Sequence, residues 1–225
     1  MYKQTMPGYA LWLVPKQDNP FNKTAQELIS DTVPRNFVSS EKTNHFIPHV
    51  TLTSEVDPEK AFGGKSPQAW LDEFPIPDSF QPGLEPNEVL VELDTVEAED
   101  PFFRKMNIAV KQNENLSKLA ALCRQKAVLL DADDSKAQTW VKSEYRPHMS
   151  LFYGDVATSE VKSKVPLIEM KIGFAFGDLF ACCGGALSLG GEMVLVDTTK
   201  PISEWNIVAR RETPWATWRA TRNLI

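Results

Sequence analysis

The chain has 225 residues, with 24 Lys and Arg against 30 Asp and Glu, a net charge of −6 and a hydrophobic share of 42%. That is enough apolar material for one large domain or two closely packed lobes, and it excludes a disordered tail or a disulfide-stapled miniprotein. The acidic balance argues against a broad grip on a nucleic-acid backbone, which needs many cations to release counterions, and leaves room for a small anionic ligand in a local pocket.

Residues 9–14 form an apolar and aromatic run closed by Pro15, which predicts a buried strand. Asp18 and Asn19 then offer caps, and Pro20 suits the first helical position. Phe21, Ala25, Leu28 and Ile29 recur at helical spacing until Pro34. Residues 46–53 alternate polar and apolar from His49 onward and read as a second strand. The proline- and glycine-rich stretch 58–86 reads as loop around one short helix at 66–74, capped by Ser66 with Pro67 behind it. Strands are predicted at 88–96 and 102–110, then a helix capped by Asn113 with Leu116, Leu119, Ala120, Cys123 and Ala127 on one face. An acidic turn (Asp131, Asp133, Asp134) leads to a strand over 146–153, then a helix over 159–165 and strands over 174–183, 193–197 and 205–209. Strands joined by short loops beside a few helices indicate an α+β fold with mainly antiparallel sheet.

One pattern rises above the rest. Pro48-His49-Val50-Thr51-Leu52 returns as Pro147-His148-Met149-Ser150-Leu151: proline, histidine, apolar residue, hydroxyl, leucine. Such internal similarity points to two related lobes. On a strand, side chains at i and i+2 share a face, so His49 projects with Thr51 and His148 with Ser150, while Val50 and Met149 turn into the packed side. An imidazole titrates near neutrality, so one can accept a proton while its twin donates one, and the hydroxyls can hold non-bridging phosphate oxygens. Together these groups suit in-line displacement at phosphorus. A zinc or iron site would need three or four ligands, for which the spacing is wrong, and no G-x-S-x-G accompanies the histidines.

With its doubled His-x-Thr/Ser the chain resembles the two-histidine phosphoesterase superfamily. Within it, the chain looks like the fungal 2′,3′-cyclic-nucleotide 3′-phosphodiesterases, or cyclic phosphodiesterases. The residues that carry the likeness are Ala10-Leu11-Trp12, the run from Pro48 to Ser54, Phe102-Phe103-Arg104-Lys105, the run from Pro147 to Asp155, Met193-Val194-Leu195-Val196, and Glu204-Trp205. The resemblance implies a bilobal fold of two pseudo-symmetric lobes, each an antiparallel sheet with outer helices, in a single domain over residues 1–225 with the site in a central cleft. It implies metal-independent hydrolysis, with no cofactor, of 2′,3′-cyclic nucleotides to 2′-phosphates. ADP-ribose 1″,2″-cyclic phosphate, a by-product of tRNA splicing, would be the related substrate, opened to ADP-ribose 1″-phosphate. By motif match His49 and His148 become the acid/base pair, Thr51 and Ser150 the phosphate ligands, and Tyr153 a substrate contact.

From the residues alone, Tyr153 falls on the opposite face of an ideal strand from Ser150. It reaches the site only if the strand ends or bulges there, which Gly154 allows. Arg146 and the pair Arg210-Arg211 read as strand-end surface charge, His45 as a bystander, Trp12 as core, and Cys123 as a small core residue. His148 is the choice for base and His49 for acid, the near-symmetry leaving the reverse open. Three cysteines, with Cys182 and Cys183 adjacent, fit a reducing compartment. The first seven residues lack a secretory apolar core, and no run approaches the ~20 apolar residues of a membrane span. The expected protein is therefore an intracellular, cytoplasmic monomer whose partner is a small cyclic nucleotide or ADP-ribose cyclic phosphate, with no stable nucleic-acid binding and no membrane span; endomembrane association stays open. Two alternatives are an RNA-end-processing phosphodiesterase, which should carry a basic groove, and a non-catalytic nucleotide-binding module, which would not need two proton-transfer groups.

Overall fold

The computed structural model describes residues 8–38, 43–183 and 186–224, so the seven N-terminal residues read above for targeting lie outside it. The strand β1 (Tyr9–Pro15) is followed by helix α1 (Pro20–Glu27), where the Asn19 side chain accepts from the Phe21 amide at 2.8 Å and Pro20 opens the first turn. Next come β2 (Val50–Val56), α2 (Pro58–Ala61), α3 (Pro67–Asp72), β3 (Val89–Ala98), β4 (Met106–Val110) and α4 (Glu114–Arg124). The predicted caps hold: Ser66 accepts from Ala69 at 3.2 Å, and Asn113 from Leu116 at 2.9 Å. After α4 stand α5 (Ser135–Ser143), β5 (His148–Phe152), α6 (Thr158–Cys183), β6 (Leu187–Leu189), β7 (Gly191–Asp197), β8 (Asn206–Glu212) and β9 (Ala216–Ala220).

The strands form one sheet in the order β6-β9-β3-β4-β5-β2-β1-β7-β8, antiparallel throughout except for β3 beside β9. An α+β fold with mainly antiparallel sheet is therefore correct. The main core lies where α1, α4 and α6 cover one sheet face, gathering Leu11, Leu13, Val50, Leu52, Ile108, Met149 and Leu151. A smaller apolar cluster of Ala10, Trp12, Val14, Val194 and Val196 occupies the other face of β1 and β7. The alternation along β1 thus sends Leu11 and Leu13 to the helices and Ala10, Trp12 and Val14 away from them.

Several sequence expectations need correction. Residues 174–183 are no strand: they are the C-terminal part of the 26-residue helix α6, which also absorbs the short helix expected at 159–165. Its aromatic and glycine content reads as β, yet Ile168, Ile172, Phe176 and Leu179 are buried at helical spacing, and tertiary packing overrides propensity. The strand expected over 102–110 begins only at Met106, because Phe102–Arg104 makes a tight 3₁₀ turn. Helix α5 was not anticipated, since only Ala137 and Val141 of it are buried; the acidic turn before it supplies Asp133, whose carboxylate accepts from the Ser135 amide at 3.0 Å. The strands β6 and β9 were also not foreseen, and β3 runs on to Ala98.

Candidate active site

Both histidine motifs lie at the middle of the sheet, on neighbouring strands. Val50 of β2 pairs with Met149 of β5, and both are fully buried on the helix-covered face. The residues on either side of them must therefore face the other way, which brings His49, Thr51, His148 and Ser150 to one surface. The antiparallel sense of the pair carries Thr51 toward His148 and His49 toward Ser150, so each hydroxyl approaches the histidine of the opposite motif.

The imidazoles are held alike. His49 Nδ1 lies 2.6 Å from the carbonyl of Ile47, and His148 Nδ1 lies 2.8 Å from the carbonyl of Arg146. A carbonyl can only accept, so each Nδ1 carries the proton and each Nε2 keeps a lone pair free for chemistry. The prolines between carbonyl and histidine give this a cause. Pro48 and Pro147 fix their own φ and force the preceding residue into an extended conformation, which sets where the i−2 carbonyl stands. The sequence displayed the proline in both motifs, but its purpose becomes visible only with the backbone.

The surroundings of the two rings differ. His49 is only 4% exposed and stacks on Trp12, with ring centroids 3.7 Å apart and an interplanar angle of 13°. Burial lowers its pKa from the ordinary 6.5 to about 4, the Ile47 carbonyl opposes the shift, and the charge of a protonated His148 adds to it. His148 is half-buried; loss of solvent again lowers its pKa, opposed by the Arg146 carbonyl, while Arg104 lowers it and Glu99 raises it. Both imidazoles are therefore neutral at rest near pH 7.

Thr51 is half-buried and its hydroxyl makes no hydrogen bond to another described residue. Ser150 is buried, and its hydroxyl lies 3.4 Å from the Phe103 carbonyl. Tyr153 meets the condition set by the sequence: β5 ends at Phe152, and a register shift between Met106 and Asn107 of β4 accompanies the pairs with Phe152 and Ser150. Burial pushes the Tyr153 pKa far up, and the neighbouring Ser150 hydroxyl opposes that shift. Its ring stacks on Phe46 at 4.1 Å and meets Phe103 edge-on at 5.4 Å. His45 and Arg146 are exposed, and Arg146 donates to the Tyr145 carbonyl at 3.0 Å. Arg210 pairs with Glu192 at 2.7 Å, and Arg211 donates to the carbonyls of Leu71 and Phe74. Cys123 is fully buried, which raises its thiol pKa and fits a core residue.

The family model for cyclic phosphodiesterase-like proteins matches residues 6–213, nearly the whole chain. The chain belongs to the cyclic phosphodiesterase family. It is 32% identical over 209 residues to the 2′,3′-cyclic-nucleotide 3′-phosphodiesterase of Phaeosphaeria nodorum, covering 92% of this chain and 100% of that protein. The protein of the same name from Neurospora crassa is 32% identical over 219 residues, covering 92% of this chain and 99% of its own length. The one from Yarrowia lipolytica is 25% identical over 229 residues.

Three residues of this cyclic phosphodiesterase-like chain stand at the site without having been assigned there from sequence. Phe103 and Trp205 are half-buried and stack at 5.9 Å and 23°, and Trp205 also meets Trp12 edge-on at 5.6 Å. Arg104 pairs with Glu99 at 2.7 Å, and Asn107 donates to the same Glu99 oxygen at 3.1 Å. The nearest sequence signal was that Phe103, Arg104 and Trp205 sit in the family-like segments, but nothing local distinguished them from core and surface residues. Trp12 Nε1 and Arg104 Nε are among the buried polar atoms with no hydrogen-bond partner among the described residues.

No helix among the described residues is long and apolar enough to cross a membrane, and no group of three His, Cys, Asp or Glu side chains among them could hold a metal ion.

Proposed function

We propose that this chain hydrolyses ribose cyclic phosphates, 2′,3′-cyclic nucleotides to nucleoside 2′-phosphates, by proton transfer between His49 and His148. The observation that carries the reading is the pair of Nδ1-to-carbonyl bonds, which leave two basic Nε2 atoms on one sheet face beside two hydroxyls. Membership of the family and the names of the fungal relatives support the reaction class.

Geometry suggests how the roles divide. The attacking water comes from solvent, and half-buried His148 is the imidazole that solvent reaches, so it serves as base. His49, at the closed end against Trp12, serves as acid for the departing ribose oxygen. It takes up its proton when the phosphate anion arrives, and the Trp12 π face favours the imidazolium. Thr51 and Ser150 hold the non-bridging oxygens, and Tyr153, next to Ser150 at the end of β5, serves as a further substrate contact. The half-buried faces of Phe103 and Trp205 offer a stacking surface for a nucleobase.

The bilobal arrangement is part of the same proposal. Outward from the junction of β5 and β2, antiparallel pairs with β4 and then β3 on one side match antiparallel pairs with β1 and then β7 on the other. Each side thus delivers one histidine. ADP-ribose 1″,2″-cyclic phosphate presents the same strained ring on a ribose and would enter the same site, which would link the enzyme to by-products of tRNA splicing.

Turnover of a 2′,3′-cyclic nucleotide, ADP-ribose cyclic phosphate and a cyclic-phosphate-ended oligonucleotide should be compared side by side. The small substrates should give the 2′-phosphate and the 1″-phosphate, the oligonucleotide should lag, and EDTA should leave the rates unchanged. A preference for the oligonucleotide, or a loss in EDTA restored by zinc, would defeat the reading.

The lowered imidazoles also set the pH dependence. In the free protein both lose their protons below pH 6.5, so kcat/KM, which reports free enzyme, should peak on the acid side of that value. The bound phosphate stabilises the imidazolium, so kcat should persist to higher pH. A kcat/KM maximum on the alkaline side of 6.5 would contradict these environments.

A further inference from the structure

The proton chemistry leaves the outer face of α6 unused, and that face is unusual. A surface helix normally turns polar residues to water. Here Ile168, Ile172, Phe176 and Leu179 anchor the helix on the core, yet Leu167, Met170 and Phe174 on its far side are 45%, 53% and 66% exposed. Adding Gly177 and Ala181, the outward positions follow one another at intervals of three, four, three and four residues, the spacing of a coiled-coil seam. The seam is also self-complementary. When two such helices run antiparallel with Phe174 of each opposite Gly177 of the other, Met170 falls opposite Ala181, so these two large side chains each meet a small residue. One flank of the seam carries Lys171 and Asp178, seven residues apart and so at equivalent positions. A two-fold axis brings that flank against itself in reverse, setting Lys171 of each copy beside Asp178 of the other. Among the described residues neither forms an ion pair within the chain, and Lys171 reaches only Asn36 Oδ1, at 3.1 Å.

We propose that α6 is a self-association surface that joins two copies of this chain through an antiparallel helix pair. This departs from the monomer expected from the sequence. A seam of about four turns buries less than the ~1,600 Å² of a standard stable interface, so the dimer should form in the micromolar range. Sedimentation equilibrium across a micromolar concentration series should show a monomer–dimer equilibrium for the wild type. Phe174→Glu should be monomeric with unchanged hydrolysis, since α6 lies on the opposite side of the sheet from the histidines. Asp178→Lys should weaken the dimer roughly tenfold by setting two like-charge pairs in place of two opposite ones, and adding Lys171→Asp should restore it. A wild type that stays monomeric throughout, a dimer that survives Phe174→Glu, or a failed charge-swap rescue would each overturn the proposal. Flotation of a monomeric wild type with phosphatidylcholine vesicles would overturn it as well, by giving the face to a lipid surface.

Discussion

Replacing either histidine by alanine should cost about 10²–10⁴ in kcat toward a 2′,3′-cyclic nucleotide, the usual worth of a positioned acid or base. Losing both should cost little more, because one half of a proton relay does not work without the other. KM should move far less than kcat, since the proposed mechanism leaves the phosphoryl oxygens to Thr51 and Ser150. Thermal unfolding and circular dichroism should stay close to wild type for His148→Ala, which removes a half-buried ring at a strand start. Near-normal turnover in either single variant would dispose of the mechanism. An aryl phosphodiester separates the roles, because a phenolate departs without a proton. His49→Ala should recover activity on it, and His148→Ala should not. Recovery by His148→Ala instead would exchange acid and base while leaving the pair intact.

Trp12→Ala should be the most destabilising single change at the site, at about 3–5 kcal/mol, the range for emptying an aromatic site in a well-packed interior. Trp12 is 3% exposed and contacts both the His49 ring and Trp205, so its removal opens a cavity behind the His49 imidazole. Trp12→Phe should keep the fold and most of the apolar contact but lose part of the stack and the buried Nε1 donor. We expect kcat to fall by roughly tenfold, equivalent to about 1.4 kcal/mol. The decisive measurement is a double-mutant cycle with His49→Ala. If Trp12 acts through His49, the kcat effect of Trp12→Phe should vanish once the histidine is gone. Full additivity would reduce Trp12 to a core residue.

Trp12 also shows where sequence reasoning stops. The continuous apolar run over residues 9–14, closed by Pro15, identifies a strand and places Trp12 in an apolar environment, which is correct. It does not reveal that this environment is the back of the site, because the contact with His49 joins residues far apart in the chain. The two His-x-Thr/Ser motifs were legible because each is local: five consecutive residues decide which side chains share a face. Phe103, Arg104 and Trp205 come to the site through a tight turn and a strand end whose placement depends on the whole sheet. Helix α6 failed for a related reason. Its glycines and phenylalanines favour a strand over any short window, and only the spacing of its buried residues against a core assembled from distant elements makes it a helix.

The carbonyls of Ile47 and Arg146 have a consequence for how such an enzyme can change. They belong to the main chain, so no substitution at those two positions deletes the acceptor that fixes each imidazole tautomer. As long as the following proline keeps the backbone extended, the side chains at 47 and 146 are free to vary. Each motif is then a self-contained cassette whose acid–base readiness asks little of the surrounding loops. Those loops, with Phe103 among their contributions, can drift toward new nucleotides without displacing either carbonyl acceptor, so specificity can change while the tautomers stay fixed.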